Sequence, residues 1–210
     1  MSTAPLLPTL ALVDPLSATA PQKEILDAAH KQVGFIPNMY RGMANAPAVL
    51  GTYLHGYGLF RRESGFSPAE QEVIFLAVSA VNGCRYCTAA HSMIADKKSG
   101  VGPDVLKAIR AGETIPDARL GALFDFTQAM VRSQGAPDRN AVNAFLAAGF
   151  DEVKVLYVIL AISVKTLSNY SNHAFATPSP RLSTTCSLPT ASAEASSCIK
   201  FAIEIGSRCP

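Results

Sequence analysis

Residues 72–95 read EVIFLAVSAVNGCRYCTAAHSMIA, from Glu72 to Ala95. The first half is an apolar stretch with no period-two alternation, so it reads as a buried helix. Its start lies just upstream at Ser67-Pro68-Ala69-Glu70, where Ser67 caps, Pro68 fits the first turn and Glu70 completes a capping box. Asn82-Gly83 breaks that helix near Val81. A second helix is predicted from about Cys84 to Lys98, giving an antiparallel hairpin.

The remaining segments also carry helical signals. Helices are predicted over Pro21 to Val33, through Met43, from Ala48 to Phe60 and from Asp104 to Ala111. Three more are predicted over Asp117 to Arg132, Asp138 to Ala148 and Asp151 to about Asn169. Strand patterns are scarce, so the fold class is all-α, with residues 21–176 as one helical domain. The run Val155 to Val164 lies between Lys154 and Lys165, is too short to span a bilayer, and is expected to be a buried helix.

The termini differ from this core. Residues 1–20 are expected to form an arm without a secretory signal: no Lys or Arg precedes Lys23, and Pro5, Pro8 and Pro15 interrupt the apolar stretch. From Thr177 onward Ser, Thr and Pro dominate, so 177–210 is expected to be an atypical, disordered or loosely attached tail. Its cysteines, Cys186, Cys198 and Cys209, are given no catalytic role.

Of 210 residues, 49% are hydrophobic and only 16% charged, with 18 Lys and Arg against 16 Asp and Glu. A chain with so little charge either hides much of its surface in an oligomer or is only modestly soluble. A net charge of +2 without a basic block gives no case for nucleic acid.

Chemistry concentrates in the pattern E-x11-C-x2-C-x3-H, formed by Glu72, Cys84, Cys87 and His91. Cys87 and His91 stand one turn apart on a helix face, and Cys84 shares that face. Across the hairpin Glu72 falls opposite Met93, within a turn of His91. A free thiol has a pKa near 8.5, so only a few per cent is thiolate at neutral pH. The helix start favours the anion, His91 is placed to take the thiol proton, and Glu72 to orient the imidazole. Helix-terminus logic favours Cys84 as the attacking sulfur, whereas the i,i+4 contact with His91 favours Cys87. Two thiolates and an imidazole also suit a metal, with Glu72 or His55 as a fourth ligand, but the usual ligand spacing is missing. His55, Tyr57 and Tyr86 are candidate substrate-contacting residues.

The Glu72–Ala95 stretch resembles the signature of alkylhydroperoxidase D-like proteins, within the carboxymuconolactone decarboxylase-like superfamily. GFIPNMYRGMANAP (34–47) and KTLSNYSNHAFATP (165–178) resemble its peroxidase-related branch. The resemblance implies a helical bundle with the Cys-x-x-Cys on a central hairpin, no metal or cofactor, and a cytoplasmic homo-oligomer, a trimer or hexamer. It implies a peroxidase cycle in which Cys87 attacks the peroxide and Cys84 resolves. The regenerating partner would be a lipoyl-type, thioredoxin-like or small dithiol. Some members carry a His just before the second cysteine as a relay; here Tyr86 stands there and cannot act as a base near neutral pH. The competing readings are a carboxymuconolactone decarboxylase-like lyase and a metal-binding or redox-sensing oligomer.

Overall fold

The computed structural model describes residues 4–178. The tail beyond, with Cys186, Cys198 and Cys209, lies outside the described residues. Among those described there is no strand. The helices run α1 (Ala20–Val33), α2 (Asn38–Met43), α3 (Pro47–Glu63), α4 (Pro68–Val81), α5 (Arg85–Lys97), α6 (Pro103–Ala111), α7 (Ala118–Arg132), α8 (Arg139–Ala147) and α9 (Glu152–Ala174).

The helices sort into two compact units. One comprises residues 4–51 and 171–178, the other residues 52–170. In the first, the N-terminal arm is tied down by hydrogen bonds. Arg41 donates to the Val13 carbonyl at 2.8 Å and Asn45 to the Ala11 carbonyl at 2.9 Å. The Leu7 amide donates to the Ala174 carbonyl at 3.2 Å.

The second unit is built around α4. Every residue from Glu70 to Ser79 is buried, as expected of a helix apolar on all sides. α4 packs chiefly against α7 and α5. Val73 and Leu76 meet Ala95 of α5 and Val105, Leu106 and Ala108 of α6 in one apolar cluster. The start of α4 is the expected capping box: the Ser67 amide donates to Glu70 Oε2 at 2.8 Å and the Glu70 amide to Ser67 Oγ at 3.2 Å. Arg119 then donates to the other Glu70 oxygen at 2.8 Å and to the Ala148 carbonyl at 2.6 Å, and lies over the Phe150 ring. One side chain thus joins α4 and α7 to the residues flanking α8.

Gly83, at φ +65°, reverses the chain between α4 and α5. The Cys84 amide closes this turn by donating to the Ser79 carbonyl at 2.9 Å. Asn169 of α9 secures it: Asn82 donates to Asn169 Oδ1 at 3.0 Å, and Asn169 Nδ2 to Ser79 Oγ at 3.4 Å.

α9 differs from expectation in two ways. It continues to Ala174 rather than ending near Asn169, because the polar residues there make hydrogen bonds instead of breaking the helix. The run Val155–Val164 is buried on one face only, and the outer face leaves Val153, Leu156 and Ile159 at 59%, 65% and 43% exposure. The whole helix is also long and apolar enough by composition to cross a membrane, although the shorter run is not. Its inner face carries the fully buried Lys165, Ser168 and Asn169. Gly56 permits close approach to α3: a Cβ there would stand 2.7 Å from Val164 Cγ1.

Candidate active site

The hairpin brings Glu72, Cys84, Cys87 and His91 together, all within residues 52–170. Cys84 is the N-cap of α5 and Cys87 lies in its first turn. The sulfur-bearing residues are 1% and 2% exposed, and neither is in a disulfide. Glu72 is fully buried and its Oε2 lies 2.7 Å from His91 Nδ1.

The other face of His91 meets a residue that the sequence pattern does not single out. Lys165 Nζ is 2.9 Å from His91 Nε2. An ammonium has donors only, so Nε2 must carry the ring's lone pair and Nδ1 the proton, which it donates to Glu72. Burial and the Lys165 charge lower the His91 pKa, against the opposing pull of Glu72 and Cys87. The imidazole is therefore neutral. The positive charge that the spacing assigns to His91 sits on Lys165.

Glu72 accepts a second charged hydrogen bond on Oε1, from Arg61 of α3. Arg61 also donates to the Tyr57 hydroxyl at 2.7 Å and to Gln71 Oε1 at 2.9 Å. Gln71 donates in turn to the Phe66 carbonyl at 3.0 Å, which fixes the fork. Burial alone would raise the Glu72 carboxyl, but His91 and then Arg61 outweigh it and hold it below the usual range. Burial also works against the Arg61 charge, yet Tyr57 and Glu72 raise its pKa. Burial pushes the Tyr57 hydroxyl up, with Arg61 opposing.

The two thiols are driven apart. Cys87 is lowered to about 4, first by the hydrogen bond from Cys84, then, against the cost of burial, by Lys165, His91 and Ser168. Cys84 is raised by the same hydrogen bond, by burial and by the neighbouring Cys87 charge. Of the pair, Cys87 is the sulfur whose anion is favoured and Cys84 the one that keeps its proton more tightly. Ser168 Oγ lies 3.9 Å from Cys87 Sγ and 2.9 Å from the Lys165 carbonyl oxygen, and its one proton can turn to either.

Of the three further candidates, Tyr57 belongs to this network, stacked on Phe75 with ring centroids 5.4 Å apart. Tyr86 is half-buried in the first turn of α5. His55 is exposed on α3, and among the described residues no hydrogen bond or ion pair joins it to the cluster. No cluster of three His, Cys, Asp or Glu side chains suited to a metal occurs among the described residues.

Arg61, Lys165 and Ser168 join this network, and pattern reading misses all three. A lysine closing an apolar run reads as a solvated flank. The one available signal was the i,i+3 spacing of Lys165 and Ser168, which sets both on one face of α9.

Residues 47–129 match the carboxymuconolactone decarboxylase family. The alkyl hydroperoxide reductase AhpD of Koribacter versatilis is 38% identical over 78 residues, which is 37% of this chain and 39% of that protein. Solved structures share the fold at low identity. An uncharacterised peroxidase-related protein of Ralstonia eutropha with an alkylhydroperoxidase AhpD core superposes with a TM-score of 0.68 at 20% identity, over 81% of this chain and 90% of that one. A peroxidase-related protein of Silicibacter gives 0.65 at 22% identity, over 81% and 89%. The debrominase Bmp8 gives 0.66 at 17% identity, over 81% and 92%. The chain therefore shares the helical fold of these AhpD-core proteins, spans well under half the length of the curated relative it matches, and carries over residues 47–129 a segment that matches the carboxymuconolactone decarboxylase family.

Proposed function

We propose that this protein is a thiol-dependent peroxidase that reduces hydrogen peroxide or organic hydroperoxides through Cys87 and Cys84. The observation that carries the reading is the geometry: two free thiols at the start of α5, with the Glu72–His91–Lys165 chain of hydrogen bonds one turn along the same helix, an arrangement that favours Cys87 as the anion. The Cys87 thiolate attacks one peroxide oxygen: the S–O bond forms, the O–O bond breaks, and the sulfur becomes a sulfenic acid as an alkoxide or hydroxide departs. Cys84 S–H then condenses with the sulfenic acid, forming S–S and releasing water. An external dithiol reduces the disulfide and is itself oxidised.

Glu72 holds the His91 ring, and Arg61 holds Glu72. The sulfurs need no metal or cofactor for these steps. A lyase acting on a lactone acid has no use for a reducible sulfur pair, and the contact of Cys84 with Cys87 favours the peroxidase over it. A cytoplasmic homo-oligomer fits this reading, with the exposed apolar row of α9 supporting association.

The test is peroxide consumption with a panel of lipoyl-type, thioredoxin-like and small dithiols. Cys87→Ser is expected to abolish turnover. Cys84→Ser is expected to leave a trappable sulfenic acid that does not close, and His91→Ala to slow the first step. Equal activity in the parent and all three variants refutes the proposal.

A further inference from the structure

Lys165 has no exposed surface, although it is a lysine. Burying an ammonium costs several kcal/mol unless partners compensate it. Its hydrogen-bond partner is the neutral ring of His91. The carboxylate nearby is Glu72, and its two oxygens are committed to Arg61 and His91. The groups around Lys165 are therefore His91 from α5, Glu72 and the Phe75 ring from α4 at 5.5 Å, the two sulfurs at the start of α5, and Arg61 and Tyr57 of α3 beyond Glu72. Two cations face one carboxylate. The charge that completes the set is the Cys87 thiolate.

Geometry places Lys165 in the same helix seam as that sulfur. Ser168 meets Cys87, and Lys165 meets His91. Lys165 and Ser168 are one turn apart on α9, and Cys87 and His91 one turn apart on α5. The two pairs therefore stand side by side across one helix seam.

We propose that Lys165 is the general acid of the peroxide step, its ammonium giving a proton to the oxygen that leaves when Cys87 attacks. The proposal rests on the peroxidase reading above. The charges balance throughout. Before attack the set is the half-buried Arg61⁺ with the buried Lys165⁺, Glu72⁻ and Cys87⁻. Attack forms the S–O bond and breaks O–O, and the departing RO⁻ takes a proton from Lys165 to become ROH. Cys87 is then an uncharged sulfenic acid and Lys165 an uncharged amine. Condensation with Cys84 S–H releases water and changes no charge. No step leaves an uncompensated ion in the interior, where it would be most costly. Reduction by a dithiol returns one proton to Lys165 and regenerates the thiolate.

The experiment compares two oxidants that differ in their need for an acid. An alkyl hydroperoxide expels a strongly basic alkoxide, whereas a peroxycarboxylic acid expels a carboxylate that needs no proton. Sulfenic acid formation is followed in single turnover for the parent, Lys165→Met and Lys165→Arg. Arginine keeps the charge beside Cys87 but does not release its proton. In both variants the ratio of alkyl hydroperoxide rate to peracid rate is expected to fall about 100-fold. The parent, which needs no substitution, is expected to show a normal solvent deuterium isotope effect with the alkyl hydroperoxide and none with the peracid. Equal losses for both oxidants, or equal isotope effects, overturn the proposal while the peroxidase reading stands. A parent that forms no sulfenic acid with either oxidant overturns both.

Discussion

Replacing Cys84 by Ala removes the largest single influence holding Cys87 as a thiolate, the hydrogen bond from its neighbour. A hydrogen bond to a charged group is worth about 1.5–3 kcal/mol, or roughly one to two pKa units. Lys165, His91 and Ser168 remain, so the Cys87 titration is expected to move up by that amount and stay below the ordinary thiol value. The assay is the pH dependence of alkylation by iodoacetamide, with Cys87 modification read by mass spectrometry. An ordinary thiol of pKa near 8.5 loses about 100-fold in rate from pH 7 to pH 5, because its thiolate fraction falls by that factor. With Cys87 at about 4, the parent is expected to be nearly flat over the same interval. The absolute rate at pH 7 is a poor diagnostic, because a more acidic thiol is also less nucleophilic. If the parent shows the hundredfold fall, or if Cys84→Ala leaves its profile unmoved, the split between the two sulfurs is wrong.

Three further outcomes are expected of this protein. Cys87, Glu72 and His91 are all lowered in the folded state. The unfolded chain therefore binds more protons than the folded one, and the reduced protein should lose thermal stability steadily on acidification below about pH 8. In Cys87→Ser the loss should begin only near the ordinary histidine pKa, about 6.5, as seen by calorimetry at a series of pH values; identical curves would contradict this. Glu72→Gln leaves the half-buried Arg61 without its carboxylate and is expected to cost about 1.5–3 kcal/mol in urea unfolding. Gly56→Ala, which on helix propensity should stabilise, is expected to cost about 1–3 kcal/mol because the added methyl meets Val164; a gain in stability would mean that α3 and α9 are not so close.

The helices were legible because their signals are local. Ser67, Pro68 and Glu70 state where α4 begins, and Asn82-Gly83 states where it ends, all within a few residues of chain. Glu72 and His91 were legible as partners because hairpin register follows from counting away from the turn. Lys165 was not, since its place beside His91 depends on how α9 lies against α5, a relation between segments 74 residues apart. Composition misleads there as well. A lysine after an apolar run resembles a boundary, and only packing reveals that Val164 and Lys165 both face inward while Val153 and Leu156 face out. The end of α9 was set too early for a similar reason: Asn169 looks like a terminator, but its amide is used to hold the turn of the hairpin.

The near-total enclosure of both sulfurs bears on how the cycle is refilled. On the proposed peroxidase cycle, a small oxidant would have to reach Cys87 through transient gaps, and a folded redox protein would find no disulfide at the surface to engage. Slim reductants, such as a dithiol on a flexible arm, should then outpace bulky ones of equal potential. With a bulky donor, turnover should follow the frequency with which the start of α5 lifts away from α9, so loosening the Asn82–Asn169 latch would speed regeneration even as it weakens the fold.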